Sequence, residues 1–169
     1  VQHFALTSLG VNADQDVDVI IPLRADQFRL EDHRVTLEFA DDEIPEGVLR
    51  LEIDSQVIDL DGNLLDGNGD GQPGDGATIN GSQANGLYRL LGEFLQDGGI
   101  SVFDFPVIAY WFGEVLPVAP AYADLNGDGG VSVFDVGPFA GNFGRAVVFP
   151  PAARPLLPAM PTASRNDAR

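Results

Sequence analysis

The sequence contains no cysteine and no lysine among its 169 residues, and methionine and tryptophan occur once each. Without cysteine, no disulfide can stabilise the chain, and the redox compartment cannot be read from the sequence. All nine basic residues are arginines, and 26 acidic residues bring the formal net charge to −17. Such a charge excludes nucleic acids and anionic membranes as partners and favours cation binding. No apolar run approaches the roughly 20 residues of a membrane span.

Patterns typical of catalytic sites are also missing. The histidines His3 and His33 lie in different predicted β segments, without a cysteine or carboxylate cluster at metal-binding spacing, and we expect both to be exposed. No serine stands in a G-x-S-x-G setting. Carboxylate pairs are unavoidable in so acidic a chain and prove nothing. We therefore expect no enzyme here. The chain begins without an initiator methionine or signal peptide, which suggests a segment of a longer parent protein whose own activity stays open.

From Val1 to about Asn63, within a predicted β domain of residues 1–79, the sequence shows the pattern of antiparallel β-structure. Short alternating runs, such as Val35–Phe39 and Val48–Ile53, are separated by acidic stretches rich in turn residues. The run Val57–Asn63 resembles the final strand and loop of a bacterial immunoglobulin-like or cadherin-like domain. Because about 60 residues fall short of the roughly 100 that such a sandwich needs, we expect only its C-terminal part.

The twelve-residue stretch Asp124–Asp135, called loop two, places oxygen-bearing side chains at positions 1, 3, 5, 9 and 12 and a glycine at position 6. This is the spacing of an EF-hand calcium loop, in which position 7 contributes its backbone carbonyl. Calcium is a hard cation that prefers roughly six to eight oxygen ligands. The predicted ligands are Asp124, Asn126, Asp128, Gly130, Ser132 and Asp135.

A second copy, loop one, lies earlier in the chain at Glu93–Asp104 and aligns with loop two without a gap, and both copies end in Ser-Val-Phe-Asp. An internal repeat indicates one structural unit used twice. Position 3 of loop one is Leu95, which has no donor atom, so loop one is predicted to bind calcium more weakly. Its predicted ligands are Glu93, Asp97, Gly99, Ser101 and Asp104.

Residues 66–71 match the first half of a calcium loop a third time, but position 12 is Ala77 and a Pro-Gly pair excludes a following helix. Two interpretations stand. The segment is either a solvated acidic turn or a third calcium site, closed by Asp75 or by Asp59 and Asp61. In the second interpretation the ligands of this loop three include Asp66, Asn68, Asp70 and Asp75.

Apolar residues follow loops one and two at helical spacing, and each series ends in Phe-Gly. This predicts an amphipathic helix of about ten residues after each loop. The tandem of loop and helix resembles a type I dockerin, in the variant of planctomycete-like secreted proteins, over residues 87–144. We therefore expect a mixed fold class: a partial antiparallel β-sandwich (1–79), a linker (80–86), a small all-α dockerin-like tandem (87–144), and a proline-rich extended or disordered tail (145–169).

The resemblance implies folding that depends on Ca²⁺ and docking to a cohesin-type domain, in a secreted or cell-surface protein that acts on polysaccharide or in adhesion. It also implies a partner-binding face formed by Val102, Phe103, Tyr110, Val133, Phe134 and Ala140. Alternatively, Phe103 and Phe134 pack between the two units. The chain would then be a calcium-stiffened terminal module of an adhesin-like protein without a dedicated partner.

Overall fold

The computed structural model describes residues 2–13, 15–31, 34–40, 43–59 and 61–150. Two short 3-10 turns, Ala25–Gln27 and Ala121–Ala123, accompany the regular elements. Those elements are β1 (Phe4–Ser8), β2 (Val19–Ile21), β3 (Phe28–Glu31), β4 (Arg34–Leu37), β5 (Gly47–Ile53), β6 (Ala77–Asn80), β7 (Tyr88–Arg89), α1 (Phe105–Trp111) and α2 (Val133–Asn142). Neither α-helix in this part of the chain is long and apolar enough to cross a membrane.

The main sheet is built around β5. Its strands lie in the order β2-β1-β5-β6, β7 pairs with the beginning of β5, and every pair is antiparallel. Leu6 of β1 lies opposite Ile21 on one side and Leu51 on the other. β3 and β4 form a separate two-stranded hairpin.

Two hydrophobic clusters meet at β5, because neighbouring side chains of a strand point to opposite faces. Leu49 belongs to the smaller cluster with Leu6 and Ile21. Val48, which is completely buried, belongs to the larger cluster. The larger cluster also contains Leu9 and the buried side chains of the loop–helix units: Leu90, Ile100, Ile108, Ala119, Ala123, Leu125, Val131, Phe139 and Val147. The loop–helix units therefore pack on the sheet through a shared core.

The predicted fold class, a partial sandwich followed by a small all-α tandem, is wrong. The described part of the chain is mostly β, with two short helices of 7 and 10 residues. Loop one is preceded by β7 and loop two by the 3-10 turn. The physical reason is a contact with the sheet: Tyr88 and Arg89 pair with Val48 and Gly47 of β5, so the chain before loop one is a strand. After the helices, Gly113 and Gly144 adopt φ values of 90° and 82°, which end each helix as predicted.

The expected final strand at Val57–Asn63 is also not found there in the described residues, which exclude Leu60. Ile58 instead forms an isolated bridge with Leu64. The Asp59 carboxylate accepts hydrogen bonds from the backbone N–H groups of Asp61 and Asn63, both at 2.9 Å. Such local bonds favour a turn over an extended strand.

Several predictions concern residues at the margin of the described chain. His3 lies half-buried in a turn. His33 and most of the predicted tail, 151–169, lie outside the described residues. The beginning of the tail packs on the fold, since Val147 is buried and the Phe149 ring lies against Tyr88 at a centroid distance of 5.2 Å.

Candidate functional site

Asp124 organises the first half of loop two. Its Oδ1 accepts hydrogen bonds from the backbone N–H groups of Gly127 (2.9 Å) and Asp128 (3.2 Å), and its Oδ2 accepts one from Gly129 (2.8 Å). Asn126 Nδ2 donates to Asp128 Oδ2 at 2.9 Å, and Asn126 Oδ1 accepts from the Asp128 N–H at 2.9 Å. These bonds bring the oxygen-bearing side chains of positions 1, 3 and 5 together.

Asp135 closes loop two from the first turn of α2. Its side chain is completely buried. Its Oδ1 accepts from the backbone N–H groups of Leu125 (2.7 Å) and Asn126 (3.1 Å), and its Oδ2 accepts from that of Ser132 (2.7 Å). Ser132 caps α2 by accepting a hydrogen bond from the Phe134 N–H at 3.1 Å. One carboxylate therefore joins the start of the loop to the start of the helix.

Loop one repeats these contacts at the equivalent positions of the repeat. Asp104 is also completely buried, and it accepts from the backbone N–H groups of Phe94 (2.8 Å) and Ser101 (2.9 Å). At position 1, Glu93 Oε1 accepts from the Asp97 N–H at 3.0 Å. The Phe103 N–H also donates to Ser101 Oγ at 3.2 Å, as the Phe134 N–H does to Ser132. The two copies thus share their closing carboxylate, this serine bond and the bond from position 5 to position 1, although α1 begins later and has no side-chain cap.

The backbone follows the same path in both loops even where the residue type differs. At position 4, Gly127 of loop two has a φ of 73° and Gln96 of loop one has a φ of 58°. A residue other than glycine loses roughly 1–2 kcal/mol in this left-handed region. We infer that the remaining contacts of loop one impose this conformation on Gln96.

The segment that follows each helix forms backbone hydrogen bonds with the loop of the other unit. We call these hydrogen bonds the reciprocal bridges. After α1, the Gly113 N–H donates to the Val131 carbonyl of loop two at 2.7 Å. After α2, the Gly144 N–H donates to the Ile100 carbonyl of loop one at 2.9 Å. Two further pairs of bonds join equivalent positions of the repeat in the same way: Val131 N–H to Glu114 O with Ile100 N–H to Arg145 O, and Leu116 N–H to Gly129 O with Val147 N–H to Gly98 O.

Loop three reproduces the first half of loop two without a following helix. The Asp66 carboxylate accepts from the backbone N–H groups of Gly69 (2.8 Å), Asp70 (3.1 Å) and Gly71 (2.8 Å). These are the same three loop positions that bond to Asp124. Asn68 Oδ1 accepts from the Asp70 N–H at 2.8 Å, as the asparagine of loop two does at its own position 3.

Asp75 supplies the closing carboxylate of loop three. Its Oδ1 accepts from the backbone N–H of Gly67 at 2.9 Å, which is the position 2 amide that the closing carboxylates of the other loops also bind. Asp59 is held elsewhere. Hydrogen bonds from the Asn63 side chain and from backbone amides lower the pKa of Asp59 and fix it in its own turn. Asp75 is therefore the alternative that the geometry favours over Asp59 and Asp61.

The donor set of loop two suits calcium by its chemistry, since every predicted ligand offers oxygen. The described residues contain no group of three or more His, Cys, Asp or Glu side chains that could hold a metal ion, so Asp124, Asp128 and Asp135 do not meet at one metal position. The ion pairs that the described arginines form involve no carboxylate of the three loops. The described arginines therefore do not neutralise the carboxylates of loop two.

The predicted partner-binding residues lie on the surface. Phe103 and Phe134 are 71% and 69% exposed, and Tyr110 is 76% exposed. Val102, Val133 and Ala140 are exposed as well. The alternative in which the two phenylalanines pack between the units is therefore wrong. The core between the units is filled by Ile108 and Phe139 instead.

Sequence reasoning missed two residues that bear on loop one. The Tyr88 hydroxyl donates to Glu93 Oε2 at 3.0 Å, and Phe149 packs on the Tyr88 ring. Their counterparts in the repeat are Ala119 and Val118. A comparison of the two copies over their full length, extended past residue 144 to Phe149, would have marked both aromatic residues as features of loop one alone.

Comparisons with known proteins give little to add to this geometry. No protein-family profile matches the chain, and no curated protein matches it. A solved structure described as a type II cohesin–dockerin domain from Bacteroides cellolosolvens is similar over 36% of this chain and 93% of that chain, with 32% sequence identity and a TM-score of 0.32. A TM-score of that size does not define a shared fold.

Proposed function

We propose that this chain is a calcium-dependent, non-catalytic docking module of a secreted or cell-surface protein. The observation that carries the proposal is the repeated, exposed Val-Phe pair at the start of each helix region. Val102 and Phe103 follow Ser101 of loop one, and Val133 and Phe134 follow Ser132 of loop two, with exposed fractions between 62% and 71%. Apolar side chains held outward at equivalent places of two related units form a surface suited to a partner.

Loop two is the part through which calcium would act. Asp124, Asn126, Asp128, Ser132, Asp135 and the Gly130 carbonyl would hold the ion. Bound to the folded state alone, calcium supplies a stabilising free energy of RT ln(1 + [Ca²⁺]/Kd). Because Asp135 also contacts the cap of α2, that free energy would hold the Val133–Phe134 pair in position. Calcium concentrations of about a millimolar, typical outside cells, suffice for a weak loop.

The partner that we propose is a cohesin-type domain, which the tandem of loop and helix implies by its resemblance to dockerins. The related roles, in polysaccharide breakdown or adhesion, belong to the parent protein and are part of the same proposal. The exposed apolar face supports binding to a partner.

Circular dichroism with calcium titration tests the metal half of the proposal. Asp124→Ala should abolish most of the helicity that calcium induces, whereas Glu93→Ala should cost less, since loop one lacks a donor at position 3. Isothermal calorimetry on the same variants gives the stoichiometry. Equal losses of helicity in the two variants would contradict the ranking of the loops.

Binding to a purified cohesin-type domain, with calcium or with a chelator, tests the docking half. Val133→Ser should weaken binding at least tenfold. Val17→Ser is the matched control, because Val17 is also exposed (83%) but lies in the N-terminal β region. Equal affinities of the two variants would remove the proposed face.

One observation favours a second function, a structural calcium-stiffened module without a dedicated partner. The loop–helix units share their core with β5 and Leu9, so an ion in loop two would stabilise the sheet as well. This function is supported if calcium raises the melting temperature while no cohesin-type domain binds.

A further inference from the structure

Loop one differs from loop two at the carboxylate of position 1. Asp124 accepts hydrogen bonds from backbone amides alone. Glu93 accepts one backbone bond, from Asp97, but its other oxygen is engaged by the Tyr88 hydroxyl at 3.0 Å. A side-chain donor therefore stands beside Glu93 in the place where a ligand carboxylate would face a cation.

Tyr88 is firmly fixed in that position. It lies in β7, whose backbone pairs with β5, and its ring meets the Phe149 ring edge-on at 5.2 Å. The Tyr88 hydroxyl is therefore held where it donates to Glu93.

Position 3 and the turn of loop one also differ from those of loop two. Leu95 carries no oxygen and is 50% exposed, whereas Asn126 stands at the same position of loop two. A Cβ added to Gly98 would lie 3.1 Å from the Phe149 ring, whereas one added to Gly129, its counterpart, would meet open space. Phe149 therefore covers the turn of loop one, and the turn of loop two is open.

We infer that loop one does not take calcium, because Leu95 supplies no oxygen and the Tyr88 hydroxyl holds Glu93 in place of an ion. The tandem repeat then binds one ion, in loop two. This inference rests on the proposed function for its statement about loop two, while its statement about loop one can be tested independently.

Nuclear magnetic resonance of ¹⁵N-labelled chain tests the inference on the Gly98 and Gly129 amides during calcium titration. In Asp124→Ala, the Gly98 amide should not move, because loop one offers no site. A calcium-dependent shift of Gly98 in that variant would overturn the inference. The Gly129 amide in the unchanged chain reports separately on loop two, and its failure to move would count against the proposed function alone.

A variant that gains a site provides the second test. Tyr88→Phe combined with Leu95→Asn frees Glu93 and restores the donor at position 3, so calorimetry should find one more calcium ion per chain than in the unchanged chain. Leu95→Val is the matched control and should leave the count unchanged. If the double variant, folded by circular dichroism, gains no ion, then Tyr88 and Leu95 do not exclude calcium and the inference fails.

Discussion

Replacing Asp135 by alanine is expected to destabilise the chain strongly even without calcium. The buried carboxylate accepts from three backbone amides, and that of Leu125 is itself buried. A buried donor left unsatisfied costs about 1–3 kcal/mol. Loss of the reciprocal capping contact with Ser132 costs about 1 kcal/mol more. With the partly exposed amide of Asn126, the expected loss in the free energy of unfolding is roughly 3–5 kcal/mol.

Urea unfolding in the presence of a chelator, followed by far-ultraviolet circular dichroism, measures this loss. Asp104→Ala removes the equivalent bonds to Phe94 and Ser101 in loop one, and it should cost less than Asp135→Ala, because it loses one backbone bond fewer and the Phe94 amide is only partly buried. Asp128→Ala is the exposed control, with an expected loss under about 1 kcal/mol. If Asp135→Ala loses no more than Asp128→Ala, the buried carboxylate does not hold the loop to the helix and the reasoning is refuted.

Single residues of loops one and three, and Tyr88 beside loop one, are also expected to affect stability. Gln96→Gly should stabilise the chain by about 0.5–1 kcal/mol in urea unfolding, because glycine accepts the positive φ; a loss would contradict this. The pKa of Tyr88 is raised from 10.0 to about 12, so its contribution to stability is complete below pH 10 and is lost as the pH rises toward 12. Tyr88→Phe should therefore remove the alkaline decline of the urea midpoint. If the decline is unchanged in this variant, another group causes it. Asp66→Ala should lower the melting temperature in chelator, because three backbone amides lose their acceptor, and an unchanged melting temperature would mean that water replaces it.

The loops could be predicted from the sequence because their chemistry is local. The spacing of Asp124 and Asp135 marks a turn in which a carboxylate meets nearby amides, and the glycines mark the positive φ values that the turn requires. The repeat then assigns the same backbone to loop one. Whether these loops hold calcium stays a prediction.

The wrong fold class results from a contact between distant parts of the chain. Tyr88 and Arg89 belong to the predicted all-α tandem (87–144), but they form β7 and pair with the beginning of β5, which lies far earlier in the sequence. Likewise, Phe134 has the same apolar character whether it lies in a core or on a surface. Periodicity describes one element at a time, so it cannot say which face another element covers.

The reciprocal bridges make the two loop–helix units depend on each other's chain ends. A fragment that stops at residue 144 retains every predicted ligand, yet it removes Arg145 and Val147, the backbone partners of loop one. Loop two would keep its backbone partners, because Gly113, Glu114 and Leu116 lie within the fragment. A fragment that keeps these contacts therefore includes β5 and extends through Phe149. Truncation at residue 144, where the repeat ends in sequence, would destabilise loop one, although loop one lies at the other end of the tandem.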